Sequence, residues 1–296
     1  MRGAVLFALL GISCSRPFQV VPLVAVRVLP VEAPFPVEPS GLCLRDARLF
    51  TICDKTDDTV FEVIIESDRA RLVPFLRFKP PPASQPLDLE GITPGPDGSF
   101  FLVSESRIRV LQVFPDGSSR WVSGTLLEMG QRGGLFGVPN GYLEGVTRLS
   151  DGTLLLAAER QSRGLIHLTE TGEALPHDLN RTRFGNQLPL LRFTDFTGLD
   201  VAEGTVWVLF RNADLITTLV QTADGWREGL KAWSFRHLVE DPAHAYEDMR
   251  FGHAEGLAVD QRHFYVILDN QKHARVRDSS DRRPLLLILQ RSGGIQ

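Results

Sequence analysis

The chain has 296 residues, 43% of them hydrophobic, with three cysteines and a formal net charge of −4 at pH 7. That is enough apolar material for one large core. The mildly acidic balance excludes a nucleic-acid polyanion as partner, which needs a concentrated basic face; the cluster His273 to Pro284 is broken up by acids and serines and reads as a solvated loop.

The N-terminus, MRGAVLFALLGISC, places Arg2 ahead of a short apolar run and then small residues. This is the layout of a secretory signal over residues 1–13, too short for a span of about 20 apolar residues. Cys14 stands where a bacterial lipoprotein signal has its modified cysteine, although Gly11 occupies a position usually held by Leu. Residues 14–296 are expected to form one exported, monomeric domain, periplasmic or bound to the cell envelope, with Cys14 as a lipid anchor to the membrane; a plain cleaved signal is the alternative.

From Ser40 onward one unit recurs five times: SGLCLRDARLFTICD (Ser40 to Asp54), EGITPGPDGSFFLVSE (Glu90 to Glu105), EGVTRLSDGTLLLAAE (Glu144 to Glu159), TGLDVAEGTVWVLFR (Thr197 to Arg211) and EGLAVDQRHFYVILD (Glu255 to Asp269). Each has a Gly and an apolar residue, a polar turn, and a β-rich run ending on a charge. The glycines Gly41, Gly91, Gly145, Gly198 and Gly256 are roughly 50 to 58 residues apart, the period of four-stranded propeller blades. The first period fills with LCLR, RLFTIC, VFEVII and RLVPFLRF, four short strands separated by turns. Apolar spacing of three and four is missing from the repeats, so helices should be few. The pattern predicts an all-β propeller of five blades; six is the alternative if the segment from Leu230 to His253 hides another.

The last unit supplies only LAVD, HFYVIL and PLLLILQ. A free blade edge invites pairing with other chains, so the strand Val20 to Leu29 is expected to complete the C-terminal blade and close the ring. In the first unit Cys43 is expected opposite Phe50 across the tight turn near Asp46, not opposite Cys53. Two buried free thiols are therefore preferred over a disulfide.

Candidate chemistry follows from hairpin register. Turns at Asp97–Gly98 and Asp151–Gly152 place Glu90 opposite Glu105 and Glu144 opposite Glu159. Like charges facing one another are destabilising without a cation, a shared proton or a nearby base. First strands of propeller blades line the channel, so the positions before the glycines and at the second-strand ends converge on one mouth. Residues two positions earlier, including Glu38, Asp88, Asp195 and His253, join them. Three readings of the mouth stay open. The acids are blade-turn residues paired with Lys55, Arg160 and Arg211; or they hold a hard cation such as Ca²⁺ through carboxylate oxygens; or they form a docking surface for a cationic or peptide ligand. The metal-ligand candidates are Glu90, Glu105, Glu144, Glu159, Glu255 and Asp269. His253 is the candidate general base or acid, and Arg160 and Arg211 are candidates to hold an anionic substrate group. The GxSxG, HExxH, P-loop and CxxC signatures are absent.

The stretches SGL…LFTICDKTDDTVFEV, DLEGIT…FFLVSES, NGYLEGVTRLSDGTLLLAAER and EGLAVD…YVILDN resemble the repeats of the phytase-like esterase domain and the related SdiA-regulated (YjiK-like) bacterial propellers, over roughly Ser40 to Leu289. The resemblance implies an extracytoplasmic propeller, often lipid-anchored, with an esterase or phosphoesterase activity and a calcium site at the channel. Such a hydrolase would act on a small molecule at the mouth. The alternative is a non-catalytic scaffold for a small-molecule or protein ligand. Thr197 and Arg211 depart from the acidic pattern, so any ion is expected off-centre near Glu90, Glu144 and Glu255.

Overall fold

The computed structural model describes residues 18–82 and 86–291; the N-terminal apolar segment and Cys14 lie outside them. Two strands, β1 (Gln19–Pro22) and β2 (Ala25–Glu32), precede the repeats. The first repeat forms β3 (Pro39–Arg45), β4 (Arg48–Cys53), β5 (Thr56–Ile65) and β6 (Ala70–Arg77). The second forms β7 (Leu89–Pro94), β8 (Phe100–Ser104), β9 (Arg109–Val113) and β10 (Ser119–Trp121), followed by the short helix α1 (Leu127–Arg132). The third comprises β11 (Leu143–Arg148), β12 (Leu154–Ala158), β13 (Gly164–Leu168) and β14 (Ala174–Asp178). The fourth comprises β15 (Leu199–Ala202), β16 (Thr205–Phe210), β17 (Leu215–Thr222) and β18 (Gly225–Ser234), then α2 (Arg236–Val239). The last supplies β19 (Ala254–Val259), β20 (His263–Leu268) and β21 (Leu285–Gln290). Within each repeat, consecutive strands pair antiparallel. The protein is an all-β propeller. Between Leu230 and His253 lie the end of β18 and α2, with no further sheet among the described residues.

The innermost strands close a cycle in which β3 packs on β7, β7 on β11, β11 on β15, β15 on β19 and β19 on β3. The repeated glycine is what lets these backbones approach. A Cβ on Gly91 would lie 2.6 Å from the Glu144 carbonyl oxygen, and one on Gly256 would lie 2.6 Å from the Leu42 nitrogen. At this collar the channel holds only about 10 Å³, so the mouth has a floor. The core fills the wedges between neighbouring sheets. Phe50 meets Phe100 between the first two repeats, and Trp207, Trp233 and Phe264 pack together between the last two.

Closure differs from expectation in one respect. The strand expected over Val20 to Leu29 divides at Leu23 and Val24. β2 pairs with β21 from Ala25 opposite Leu289 to Pro30 opposite Leu285, completing the last blade. β1 instead runs parallel to β18, adding a fifth strand to the neighbouring sheet. Leu23 carries the ladder one bond further, donating its N–H to the Ser234 carbonyl at 2.8 Å, and its side chain, 1% exposed, lies in the core with Trp207 and Trp233. The end of β2 also pairs Val31 with Ala70 and Glu32 with Arg71 of β6, tying the last blade to the first.

Candidate functional site at the channel mouth

Sheet register aims the acids. In β7, β11 and β19 the pairing shifts between Leu89 and Gly91, between Leu143 and Gly145, and between Ala254 and Gly256. Glu90, Glu144 and Glu255 are thus bulge residues, released from the ladder so that their side chains turn into the channel. The expected pairing of Glu90 with Glu105 is corrected accordingly. Glu105 follows the last paired residue of β8, and Glu90 has no direct partner across the hairpin. Ligand oxygens of Asp54, Asp88 and Glu90 lie within 4.8 Å of one another, and so do those of Glu105, Glu144 and Glu159. Glu144 and Glu159 of the third repeat do come together as expected, and each cluster is joined by an acid from the preceding repeat.

Of these acids, Asp54, Glu90 and Glu144 line a cavity of about 290 Å³, together with Glu38, Ser40, Arg211, Glu255, Asp269, Gln271 and Lys272, among others; Asp88, Glu105 and Glu159 stand behind them. Lys55 pairs with Asp54, and lies 3.8 Å from Glu38 and 3.9 Å from Asp88. Arg211, with its side chain 11% exposed, contacts Glu255 at 2.9 Å and Asp195 at 3.3 Å and also binds Glu159. Arg160 joins Glu159 and the Asn140 carbonyl at the rim. Against these cations stand more carboxylates than they can neutralise. Glu90 and Glu144 make no ion pair or hydrogen bond among the described residues. Buried Oε2 of Glu159, Oδ1 of Asp54 and Oδ1 of Asp269 have no hydrogen-bond partner among the described residues.

Proton affinities register this imbalance. Burial, then the charges of Glu255, Asp54 and Glu105, pushes Glu90 well above the usual carboxylate range. Burial and Glu159 do the same to Glu144. Asp269 rises to about 8 through burial and the neighbouring Glu255. Asp195 rises to about 6 by burial, with Arg211 opposing. Burial also raises Glu255, and its two-pronged contact with Arg211 holds it back. Removing a carboxylate from water without a partner disfavours its charged form, so each group calls for a proton or a cation.

The other expected residues separate by what they touch. His253 sits beside the mouth, 3% exposed, but its Nδ1 is 2.8 Å from the Asp269 carbonyl and its Nε2 is 2.6 Å from the Asp248 carbonyl. Both ring nitrogens are engaged, so the general-base role expected of it has no nitrogen free to serve it; His253 ties the Asp248–His253 segment to the end of β20. Arg211 is likewise consumed by carboxylates and is not free to hold a substrate anion. Arg160 remains partly exposed at the rim. Cys43, opposite Phe50, and Cys53 are buried and unbonded. Glu38, Asp54 and Asp88, expected at the mouth but not among the ligand candidates, are brought to the same end as Glu90 by the starts of β3 and β7 and the end of β4. Lys272 and Gln271 follow β20 in a loop and carry no sequence signal.

No protein-family model matches the chain, and no curated protein matches it. Among solved structures it is similar to Myxococcus xanthus glutaminyl cyclase, with 11% identity, a TM-score of 0.56, and coverage of 93% of this chain and 97% of that one. It is also similar to virginiamycin B lyase from Staphylococcus aureus, with 11% identity, a TM-score of 0.51, and coverage of 89% and 98%. A gluconolactonase from Xanthomonas campestris matches at 10% identity and a TM-score of 0.48, covering 92% and 96%. At such identities the likeness is one of fold.

Proposed function

We propose that this protein is an exported, phytase-like propeller that holds a divalent cation in its acidic mouth and hydrolyses an ester or phosphoester there. The observation that carries the reading is that Glu90 and Glu144 line the cavity without an ion pair among the described residues, while a buried oxygen of Glu159 nearby has no hydrogen-bond partner among them. The donor set is all oxygen, which suits Ca²⁺ rather than a softer metal. Two clusters could hold such an ion, Glu105, Glu144 and Glu159 in one and Asp54, Asp88 and Glu90 in the other. Glu255 is the weaker ligand of those expected, because Arg211 already occupies both its oxygens. A bound ion of this kind polarises a carbonyl or phosphoryl oxygen.

The chain's own residues would do the rest. Arg211 fixes Glu159, Glu255 and Asp195 in place. Arg160 and Lys55 sit at the rim, where an anionic group can reach them. A carboxylate left without a metal, Asp269 foremost, would take the proton from water. Export, with a lipid anchor at Cys14, belongs to the same proposal and rests on the N-terminal sequence.

A second reading has its own support. Arg211 and His253 are both spent on internal contacts, so the mouth has few groups left for turnover. A cation-stiffened scaffold that binds a small-molecule or protein ligand without chemistry fits that economy.

Calorimetric titration of chelator-treated protein with Ca²⁺, followed by ester and phosphoester assays of the loaded form, tests both readings. Tight binding with turnover supports the hydrolase, and tight binding without turnover supports the scaffold. No binding would remove the cation from either.

A further inference from the structure

The most exposed large apolar side chains among the described residues are Leu190 and Leu191, at 91% and 84%. They form the tip of a tight turn in the segment linking β14 to β15, closed by the Arg192 amide donating to the Pro189 carbonyl at 3.1 Å. Turn tips favour Gly, Asn, Asp and Ser, yet here Leu191 holds a φ of 70°, in the left-handed region that non-glycine residues enter at a cost. The turn is clamped. The Arg192 side chain, 6% exposed, donates to the Arg250 and Asn212 carbonyls at 3.0 and 3.2 Å and meets Asp214 at 3.4 Å. This ties the backbone just before Phe251 to the backbone just before Phe193, and both rings are exposed as well, at 53% and 58%.

Two observations say what covers this patch. The first is charge: from Leu179 to Thr194 the sequence has Arg181, Arg183 and Arg192 and no acid. Arg181 and Arg183 are exposed and make no ion pair among the described residues, while Glu228 and Asp214, which bond to this segment, are buried and already paired with other arginines. The second is the course of the chain. Phe18 packs on Phe184 of the same segment, with ring centroids 5.4 Å apart. Cys14 lies four residues before Phe18, and four residues span at most about 14 Å whatever their path. A lipid carried at Cys14 therefore keeps this segment close to a bilayer. Apolar tips among arginines are the composition of an interfacial membrane contact, in which the apolar groups enter the headgroup boundary and the arginines meet anionic lipids.

We infer that Leu190, Leu191, Phe193 and Phe251 dip into an anionic lipid surface, so that the propeller lies against the membrane by this face. The inference rests on the export proposed above to bring the protein to a membrane, and not on the cation or on hydrolysis. The segment runs on to Asp195, which binds Arg211 at the mouth; the mouth rim then lies near the lipid.

Tryptophan quenching by lipids with brominated acyl chains tests it on the full chain, whether or not Cys14 is modified. Leu190→Trp reports the patch, and Leu175→Trp, 52% exposed near the start of β14, reports the end of the same sheet away from the mouth. The parent supplies the background of its own four tryptophans. On vesicles of phosphatidylcholine and phosphatidylglycerol the emission of Leu190→Trp should shift to the blue and be quenched, at about ten-fold less lipid than on phosphatidylcholine alone; Leu175→Trp should behave as the parent. Adding Arg181→Gln and Arg183→Gln to Leu190→Trp should remove most of the difference between the two lipids. The inference is overturned if Leu190→Trp is not quenched, if Leu175→Trp is quenched as much, or if phosphatidylglycerol makes no difference. A blue shift without lipid that grows with protein concentration would assign the patch to a second copy of the chain, and overturns it too. The intact mass of the chain reads Cys14 separately: quenching at position 190 without a lipid on Cys14 removes the anchor and keeps the surface, whereas a lipidated chain held on vesicles with position 190 unquenched keeps the anchor and removes the surface.

Discussion

Arg211 donates from one nitrogen to both oxygens of Glu255, at 3.0 and 2.9 Å, while its other nitrogens reach Glu159 and Asp195. One guanidinium thus joins the third, fourth and fifth repeats at the channel. Burial alone would lower its proton affinity, but the surrounding carboxylates raise it further above its ordinary value. Removing one member of such a buried network leaves uncompensated charge and costs about 3–5 kcal/mol. Arg211→Met should therefore lower the melting temperature sharply in chelator. Because the freed carboxylates seek another cation, Ca²⁺ should recover more stability in the variant than in the parent. Equal Ca²⁺ shifts in both proteins would argue against a shared site.

Glu144→Gln separates the cation from the proton as the mouth's compensation. An amide has the carboxylate's shape without its charge. In chelator the variant should be more stable than the parent, by about 1–2 kcal/mol, since a raised carboxylate no longer has to be accommodated. Its stabilisation by Ca²⁺ should fall by at least about ten-fold in apparent affinity. Thermal melts across a Ca²⁺ series read both effects at once, and an unchanged Ca²⁺ response would remove Glu144 from the ligand set.

The pH dependence has a defined sign. Asp269 is raised to about 8 in the folded protein, whereas an unfolded Asp titrates near 3.9. Between those values the folded state keeps a proton that the unfolded chain has lost, so stability falls as pH rises and levels off above the folded value. In chelator, stability should therefore rise as pH drops from about 8 to about 6.5, by about 1 kcal/mol per pH unit from Asp269, and the melting temperature should rise with it. Below that window His253 and His177, both depressed by burial, begin to oppose the trend. Ca²⁺ should flatten the slope by holding the carboxylates ionised, and Asp269→Asn should reduce it without metal by the share that Asp269 carries, leaving the part due to Glu90, Glu144 and Glu255.

Glu228→Gln probes a lock remote from the mouth. Arg163 is buried between Phe196 and Phe210, with its guanidinium carbon 4.2 and 4.5 Å from the ring centres, and pairs with Glu228. Glu228 also accepts bonds from the Thr182 hydroxyl at 3.0 Å and the Arg183 amide at 2.8 Å. The long segment leading to Asp195 hangs on this carboxylate. Neutralising it should cost about 3 kcal/mol in denaturant unfolding while leaving Ca²⁺ affinity near the parent's.

The sequence by itself determined the blade plan. The repeated glycine, turn and β-run could be read at near-constant spacing because each blade is a local meander whose signals lie within one period. It also placed the acids at one end, since strand direction alternates predictably. What it did not determine was how those acids meet. A bulge adds one residue to one strand, and neither hydrophobic alternation nor turn position records it; yet the bulges at Glu90, Glu144 and Glu255 decide which way each carboxylate points. Pairing across blade boundaries, the division of the N-terminal strand between two sheets, the capture of Arg211 by three acids and the loss of both His253 nitrogens to carbonyls all join residues distant in the chain. These contacts are set when the ring closes and the backbones come together at the glycine collar, so only the tertiary structure could decide them.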